Sequence, residues 1–251
     1  HYAPAQYRYG IYLSEGELIT PNLFEGIDAI HHAALQGFPE AQCWIGKALL
    51  KGDGVAQNMA SGSEWIYKAA KAGYAPAATL LGHLIEDGSF TVKGEETGAV
   101  AAIHWYEKAM TSDSDALISL GLMFKEGKKI PMDRDRATLL FKRALEEGNP
   151  EGAYYLALMS AESNPEASIA MMKTAAEKGC DDAAFAYGTY LMNRGNDSSI
   201  KSGFIWIQKA ALNQYEPAYL SMARAFAYGK GCPKDWNSAF LWYSKAILTQ
   251  N

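Results

Sequence analysis

Residues 41–55 read AQCWIGKALLKGDGV, and residues 58–73 read NMASGSEWIYKAAKAG. Apolar and small side chains recur in both segments at spacings of three and four, which is typical of one face of an α-helix. The run Gly52-Asp53-Gly54 breaks the first helix because these residue types favour turns. Asn58 is a residue type that caps helix N-termini, and Gly73 is one that ends helices. The two segments therefore predict a helix, a loop and a second helix.

This unit recurs along the chain. Each first helix has a small residue at its centre, at intervals of 31 to 39 residues: Gly10, Gly46, Gly82, Gly121, Ala157, Gly188 and Ala223. Periods of about 20 to 50 residues indicate a helical repeat array. Glycine inside a helix costs about 1 kcal/mol relative to alanine. We expect close approach of the second helix of the same unit to offset that cost.

The second helices are more regular than the first. Each is expected to start at a residue type that favours the N-cap position: Asn22, Asn58, Gly98, Asp133, Asn164, Ser199 and Asp235. An alanine follows at one phase in every unit: Ala33, Ala69, Ala109, Ala144, Ala175, Ala210 and Ala246. Four units place a tryptophan four residues before it, and we predict that these rings belong to the core. Left-handed helix ends are expected at Gly37, Gly73, Gly148 and Gly179.

Two units depart from this pattern. The third has a long loop over residues 88–98, which predicts an excursion on one edge of the array. The fifth has Ser163-Asn164-Pro165 in place of the glycine-rich loop, which predicts a tight turn between its two helices. Neither change is expected to interrupt the stacking of the units.

The predicted fold class is all-α, a right-handed α/α superhelical solenoid of about seven helix–turn–helix repeats. We expect residues 1–251 to form a single solenoid. The approximate repeats are 3–38, 39–74, 75–113, 114–149, 150–180, 181–215 and 216–251.

Composition excludes several classes of protein. The chain has 251 residues, a formal net charge of -5 and no basic block, which argues against a nucleic-acid partner. No apolar run approaches the roughly 20 residues of a membrane-spanning helix. Cys43, Cys180 and Cys232 lie at different phases of the repeat, so they indicate neither a zinc site nor a disulfide framework. We predict no cofactor.

The repeated residues resemble those of the Sel1-like repeat family, which is related to tetratricopeptide repeats. The resemblance rests on the pattern of glycines, tryptophan, lysine and alanines in the second and last units: Gly46, Gly52, Gly54, Trp65, Lys68, Ala69, Ala70 and Gly73, then Gly229, Gly231, Asp235, Ala239, Trp242, Tyr243, Lys245 and Ala246. It implies an α-solenoid that serves as an adaptor surface, in bacterial envelope, signalling and host-interaction proteins or in eukaryotic quality control. The chain lacks the paired cysteines of one bacterial branch, so nothing known of that branch is carried over.

The resemblance also implies where a ligand binds. In such a stack the first helices line a concave face, and their residues outside the core are the candidates for contact with a protein or peptide. The candidate residues are Tyr7, Lys47, His83, Glu86, Lys125, Tyr154, Phe185, Thr189, Arg224 and Tyr228. The structural alternative is that these side chains are only solvated or packed between repeats.

Catalytic and metal readings have less support in the sequence. His31 and His32 are adjacent on a second helix, where one is expected to be half-buried and the other solvated. His83 and Glu86 share a helix face, but their spacing indicates no third metal ligand. We find no nucleophile elbow, phosphate loop or dinucleotide fingerprint, since the glycines follow the repeat period. We therefore predict no catalytic and no metal-binding residues.

The favoured function is a non-enzymatic module that binds a protein or peptide on its concave face, as a bacterial envelope, secreted or host-interaction factor. The alternatives are an enzyme or binder acting on envelope components such as peptidoglycan, and a purely structural spacer. A periplasmic or secreted location is favoured over a cytoplasmic one. The start at His1 indicates a processed chain or an excised segment. The abrupt first unit and residues 249–251 favour further repeats or self-association through the end repeats.

Overall fold

The computed structural model describes residues 2–16, 21–92 and 97–249, and every regular element in those ranges is a helix. The fourteen helices are α1 (Ala3–Glu15), α2 (Leu23–Leu35), α3 (Pro39–Lys51), α4 (Met59–Lys71), α5 (Ala75–Glu86), α6 (Gly98–Ala109), α7 (Ser114–Glu126), α8 (Arg134–Glu146), α9 (Pro150–Ser160), α10 (Pro165–Glu177), α11 (Asp181–Asn193), α12 (Asp197–Leu212), α13 (Pro217–Tyr228) and α14 (Trp236–Leu248). The predicted all-α repeat architecture is confirmed.

The odd-numbered helices are the first helices of the seven repeats and the even-numbered ones the second helices. Close pairs are formed by α1 with α2, α3 with α4, α5 with α6, α9 with α10, α11 with α12 and α13 with α14. The chain divides into two compact units, residues 1–137 and 138–251, with the boundary inside α8. In the first unit α2 also contacts α3, and α4 contacts α5. In the second unit α10 contacts α11, and α12 contacts α13. Each unit is thus built from helical hairpins that pack on their neighbours along the chain.

Small residues allow the two helices of a hairpin to approach closely. A Cβ atom at Gly46 would lie 2.6 Å from Ile66 Cδ1 and 3.0 Å from the carbonyl oxygen of Gly62. Gly188 faces Gly203 in the same way, with 2.8 Å to the Gly203 carbonyl oxygen. These contacts leave no room for a side chain, because real Cβ atoms do not approach other atoms so closely. The prediction that close helix approach explains the central glycines is confirmed in these hairpins.

The repeated alanine of the second helices lies in the core. Six of the seven are completely buried: Ala33, Ala69, Ala109, Ala144, Ala175 and Ala210. The seventh, Ala246 in α14, is partly exposed. The tryptophans differ more, since Trp105 is 2% exposed while Trp65 is only partly buried. His31 is half-buried against the Trp65 ring and His32 is exposed, as the sequence predicts.

Five of the seven predicted N-caps are confirmed. The side chains of Asn22, Asn58, Asp133, Asn164 and Asp235 accept hydrogen bonds from backbone N–H groups in the first helical turn. The prediction for Gly98 is wrong by one residue, because the cap is Thr97. The prediction for Ser199 is wrong by three, because Asn196 caps α12 and accepts the hydrogen bond from the Ser199 N–H. The helix α12 therefore begins about one turn before the predicted start, and the side chain of Asn196 caps it.

The predicted helix ends are confirmed. Gly37, Gly73, Gly148 and Gly179 have positive φ values between 87° and 99°. In the sixth repeat Gln214 takes the same place with a φ of 67°, and it is the one residue other than glycine with a positive φ in the part of the chain described. Side chains with a Cβ atom are strained in that region. The backbone geometry of the turn is thus kept where the residue type that suits it is missing.

The loops inside the repeats contact the preceding second helix. Gly54 lies against Leu23 and Ile27 of α2, and Gly231 lies against Ile200 and Phe204 of α12. Both glycines have positive φ values, 70° and 83°. This contact joins one hairpin to the next within each unit.

The long loop of the third repeat follows the first helix α5, as the loop around Gly54 follows α3. Its described part, residues 88–92, turns back onto the protein, since Val92 is 7% exposed and the ring of Phe90 lies 6.1 Å from that of Tyr67. The rest of the predicted excursion includes residues 93–96, which lie outside the described residues. In the fifth repeat, residues 161–164 alone join α9 to α10, so the predicted tight turn is confirmed.

Candidate functional site

The ten candidate residues lie on first helices, as predicted, but in three different environments. Tyr7, Tyr154 and Phe185 are half-buried between neighbouring hairpins. The Tyr7 ring lies 5.5 Å from that of Phe38, and the Phe185 ring lies 5.7 Å from that of Tyr215. Burial raises the pKa of the Tyr7 and Tyr154 hydroxyls above 10.0. These aromatic side chains contribute to packing between repeats and keep only part of their surface accessible.

In the first unit, charged side chains gather at the C-terminal ends of α5 and α7. Glu86 accepts a hydrogen bond of 2.9 Å from the Tyr106 hydroxyl, and Lys129 Nζ lies 3.9 Å from Glu86 Oε1 and donates to the Glu86 carbonyl oxygen. Glu126 pairs with Lys128 at 2.8 Å, and that hydrogen bond lowers the pKa of the Glu126 carboxyl. Because these charged groups mostly pair with one another, few of them are left to bind a partner.

His83 and Lys47 complete the candidates in this unit. His83 Nε2 lies 2.8 Å from Ser119 Oγ, and its ring packs edge-on against Tyr106. Lys47 is exposed on α3. Lys125 lies on α7 directly before Glu126 in the sequence. Lys128 and Lys129 were missed by the sequence reasoning, although the run KEGKK at 125–129 indicates a charged helix end.

In the second unit the structure brings three of the predicted residues together. Thr189 of α11 and Arg224 and Tyr228 of α13 line one cavity of about 320 Å³. Asn193, Ser221 and Lys230 add polar groups, while Met192, Ile207 and Ala225 supply apolar surface. The lining contains two cationic side chains and no carboxylate. We call this the α11–α13 cavity.

The side chains of the α11–α13 cavity are accessible, and one of its polar atoms has no hydrogen-bond partner. Tyr228 is 78% exposed and Arg224 is exposed, so both are accessible to a partner. Thr189 Oγ1 is buried without a hydrogen-bond partner. A carboxylate bound by the guanidinium of Arg224 would use its bidentate geometry. The cavity therefore suits an acidic or carboxyl-bearing segment of polypeptide.

A second cavity lies outside the predicted site, between repeats 1 and 2 of the first unit. It has about 340 Å³, and its lining includes Ile27, Ile45, Leu49 and Trp65, with Asp28 at its rim. The sequence analysis did not predict this cavity, because its candidates lie on first helices. Four of the nine lining residues lie on the second helix α2, two on α3, two in the loop after α3 and one on α4: Phe24, Ile27, Asp28, His31, Ile45, Leu49, Gly54, Val55 and Trp65. We call it the α2–α4 cavity.

The described residues provide no metal centre and no membrane span. No group of three His, Cys, Asp or Glu side chains in residues 2–16, 21–92 and 97–249 could hold a metal ion. None of the helices in these ranges combines the length and the apolarity that crossing a bilayer requires. The three cysteines are free thiols, and burial raises the pKa of Cys180 to about 11. Because such a thiol is protonated at neutral pH, it is a poor nucleophile.

Paired helices with small residues at their crossing points and a period near 36 residues define an α-helical repeat protein. The Sel1 repeat family matches residues 3–28, 39–74, 75–111 and 217–248, just over half of the chain. The chain belongs to the Sel1 repeat family. A second family, described as plant tetratrico peptide repeats, matches residues 126–221 and thus spans part of the remainder.

Solved structures share this fold. A Sel1 repeat protein from Oxalobacter formigenes has a TM-score of 0.65 and 24% identity, over 100% of this chain and 73% of its own. A protective antigen from uropathogenic Escherichia coli has a TM-score of 0.64 and 24% identity over 98% of this chain; the chain spans 53% of that protein. An immunity protein from Pseudomonas aeruginosa has a TM-score of 0.63 and 20% identity, over 84% of this chain and 81% of its own. No curated protein matches the chain by sequence.

Proposed function

We propose that the chain is a non-enzymatic interaction module that binds a protein or peptide on the face formed by its first helices, which the sequence predicts to be concave. Sel1 and tetratricopeptide-like arrays are in general interaction scaffolds. The observation that carries the proposal is the α11–α13 cavity, where Thr189, Arg224 and Tyr228 meet on two neighbouring first helices. Its two cations and exposed phenol favour an acidic segment of polypeptide. The remaining candidates, Tyr7, Lys47, His83, Glu86, Lys125, Tyr154 and Phe185, extend the proposed surface along the other first helices.

The test is site-directed photo-crosslinking. A benzophenone amino acid at position 228 should crosslink a discrete partner, and Arg224→Glu in the same chain should abolish that crosslink because it reverses the charge of the cavity. The matched control places the benzophenone at Leu212, which is 66% exposed on the second helix α12. Equal crosslinking from both positions, or a partner retained by Arg224→Glu, would contradict the proposal.

A bacterial envelope, secreted or host-interaction role, with a periplasmic or secreted location, belongs to the same proposal. Its support is that solved proteins of this fold include a bacterial antigen and a bacterial immunity protein. Fractionation of the encoding cells tests it, because the proposal expects the protein in the periplasmic or culture fraction. The alternative of acting on peptidoglycan predicts sedimentation with purified sacculi, which the interaction module does not.

Self-association through the end repeats is a second proposal with its own observation. Phe240 of α14 is 71% exposed, whereas Phe204, at the same phase of α12, is 8% exposed. Ile247 is 63% exposed and its counterpart Ala211 is 1% exposed. Exposed apolar stripes of this kind promote association. Light scattering should show a mass that rises with concentration and falls to that of a monomer in Phe240→Lys; a monomer at all concentrations would overturn this proposal.

A further inference from the structure

The α2–α4 cavity lies at a junction that recurs along the array. Three positions of the repeat contribute to it. The first is on the second helix, six residues before the repeated alanine. The other two belong to the next repeat, where they lie three residues after the central small residue of the first helix and eight residues after it, in the loop. At junction 1/2, between repeats 1 and 2, these positions hold Ile27, Leu49 and Gly54. All three line the cavity. The same positions can therefore be compared at other junctions.

At junction 2/3 the loop residue is Phe90. Its ring packs against Tyr67, its N–H donates to the carbonyl oxygen of Leu84 at 2.9 Å, and Val92 beyond it is buried. The helix residue there is the small and buried Ser63. Phe90 thus provides an aromatic ring at the repeat position where junction 1/2 has a glycine.

At junction 6/7 the phenylalanine rings belong to the two helices and not to the loop. Phe204 takes the place of Ile27 and Phe226 that of Leu49, and the two rings meet edge to face with their centroids 5.5 Å apart. The loop residue is again a glycine, Gly231, which packs on Phe204 and, with Ile200 and Cys232, lines a separate cavity of about 510 Å³ on the loop side of this junction. Both junctions therefore contain a phenylalanine ring that junction 1/2 lacks at all three positions.

The missing ring leaves apolar surface open. The α2–α4 cavity of about 340 Å³ is larger than the roughly 150 Å³ that suffices for an apolar cavity to take up benzene. Trp65 in its wall is only partly buried, while Trp105 at the corresponding place of junction 2/3 is 2% exposed. An aromatic side chain bound in the cavity would bury Trp65, as the neighbouring helices and loop bury Trp105.

The rim of the cavity carries negative charge. Asp28 lines it with 60% of its side chain exposed, and the lining contains no lysine or arginine. Asp53 and Glu64, each adjacent in sequence to a lining residue, are exposed as well. Lys68 lies over the Trp65 ring at 4.4 Å, and His32 lies 3.3 Å from Asp28. A partner with a basic residue beside its aromatic residue would complement this rim.

We propose that the α2–α4 cavity is a binding site for an extended segment of a partner protein that presents an aromatic side chain flanked by lysine or arginine. The aromatic ring occupies the place that Phe90 fills at junction 2/3, and the basic residue lies over Asp28. This site shares none of the residues of the α11–α13 cavity and does not depend on the function proposed above.

The experiment uses a fluorescein-labelled peptide with the sequence of residues 88–93, GSFTVK, preceded by one added lysine. Fluorescence anisotropy with the full chain should show saturable binding. Replacement of the peptide phenylalanine by alanine should weaken binding at least about tenfold, because burial of the ring is the main source of affinity. Replacement of both peptide lysines by glutamate should weaken it as well, through repulsion from Asp28.

Two variants of the protein test the site. Ile27→Phe with Leu49→Phe introduces the phenylalanine pair of junction 6/7 into the wall of the α2–α4 cavity, and the added ring volume should reduce binding at least about tenfold while the helical content is retained. Asp28→Lys should reduce binding about two- to fivefold without touching the apolar wall, and the difference should shrink in high salt. Tyr228→Ala in the second unit is the matched control and should bind this peptide as the unchanged chain does.

The proposal is overturned if the phenylalanine peptide shows no saturable binding up to about 1 mM, or if the alanine peptide binds equally well. Undiminished binding by a folded Ile27→Phe, Leu49→Phe chain would also overturn it. If that double variant unfolds, Asp28→Lys and the alanine peptide decide. Weaker peptide binding in Asp28→Lys with unchanged binding in Tyr228→Ala supports this site, and equal weakening in both variants would overturn it.

Discussion

Junctions 1/2 and 2/3 occupy the same place in successive repeats, and one contains a cavity while the other contains a phenylalanine. Junction 2/3 combines a large loop residue, Phe90, with the small helix residue Ser63. Junction 1/2 combines the glycine Gly54 with the mid-sized Ile27. Protein interiors are close-packed, so a ring removed from the loop must be replaced from a helix or leave a space. A repeat array can thus acquire a cavity where the loop at a junction lacks a large side chain.

The largest expected effect comes from making the filled junction resemble the open one. Phe90→Ala should lower the free energy of unfolding by about 2 kcal/mol, less than for a fully buried phenylalanine because Phe90 is partly exposed. Urea-induced loss of helical circular dichroism measures this change. The matched control is Phe24→Ala, since Phe24 is 86% exposed and should change stability by less than about 0.5 kcal/mol. Equal effects would show that Phe90 does not support junction 2/3.

The glycine of junction 1/2 can be tested against a glycine of junction 2/3. Gly54→Ala should cost about 2 kcal/mol, because its φ of 70° strains any side chain and the new Cβ would lie 2.7 Å from Ile27 Cδ1. Gly88→Ala should cost about 1 kcal/mol, because its φ of 84° is equally unfavourable but no atom lies within 4 Å. Urea unfolding of both variants measures the difference. If the two costs agree, contact with α2 does not constrain the loop.

The third repeat also differs from the second in its response to pH. The residue three before the repeated alanine is Tyr106 in α6 and Ile66 in α4, and both are fully buried. Burial, and then the nearby Glu86 carboxylate, raise the pKa of the Tyr106 hydroxyl above 10.0. A raised pKa of an acid means that the unfolded state loses its proton first, so stability is complete below pH 10 and falls as the pH rises above it.

Tyr106→Phe should therefore reduce the loss of stability above pH 10, although other tyrosines with a raised pKa, such as the partly buried Tyr215, keep part of it. At pH 7 the variant should be about 1 kcal/mol less stable, because the 2.9 Å hydrogen bond to Glu86 is lost. Urea titrations at pH 7 and pH 10.5 measure both effects. The exposed Tyr228→Phe serves as the control and should alter neither. A pH profile that Tyr106→Phe leaves unchanged would contradict the assignment.

The smallest expected effect extends the comparison to helix ends in the second unit. Gln214→Gly should stabilise the chain by about 1 kcal/mol, because glycine adopts the observed φ of 67° without strain. The reverse change, Gly179→Gln at the same place one repeat earlier, should destabilise it by a similar amount, since Gly179 has a φ of 99° and open space around it. Thermal unfolding measures both shifts. Changes of the same sign would rule out backbone strain as the cause.

Much of the fold could be predicted from the sequence because its signals are local and repeated. Asn58 caps α4 with its own side chain, and Gly73 has the φ that its residue type favours. The predicted N-cap of α12 at Ser199 was wrong, because Asn196 lies one turn earlier in the sequence and offers the same capping chemistry. Competing local signals of equal strength cannot be ranked without the contacts that the helix makes.

The candidate sites were less predictable. Repeat phase placed Thr189, Arg224 and Tyr228 on first helices, but their meeting in one cavity depends on how α11 packs beside α13. Phase alone also could not show that Tyr7 and Phe185 pack against Phe38 and Tyr215. Whether a given position binds a partner or a neighbouring repeat stays a prediction for the crosslinking experiment.

The sequence by itself determined the helices, their caps and the small residues at their crossings, because these depend on the chemistry of a few neighbouring residues. The tertiary structure alone decided where a junction leaves a cavity, since the space at a junction depends on side chains from two helices and a loop that are far apart in sequence. Ile27, Leu49 and Gly54 are unremarkable one by one, and the cavity exists only where they meet.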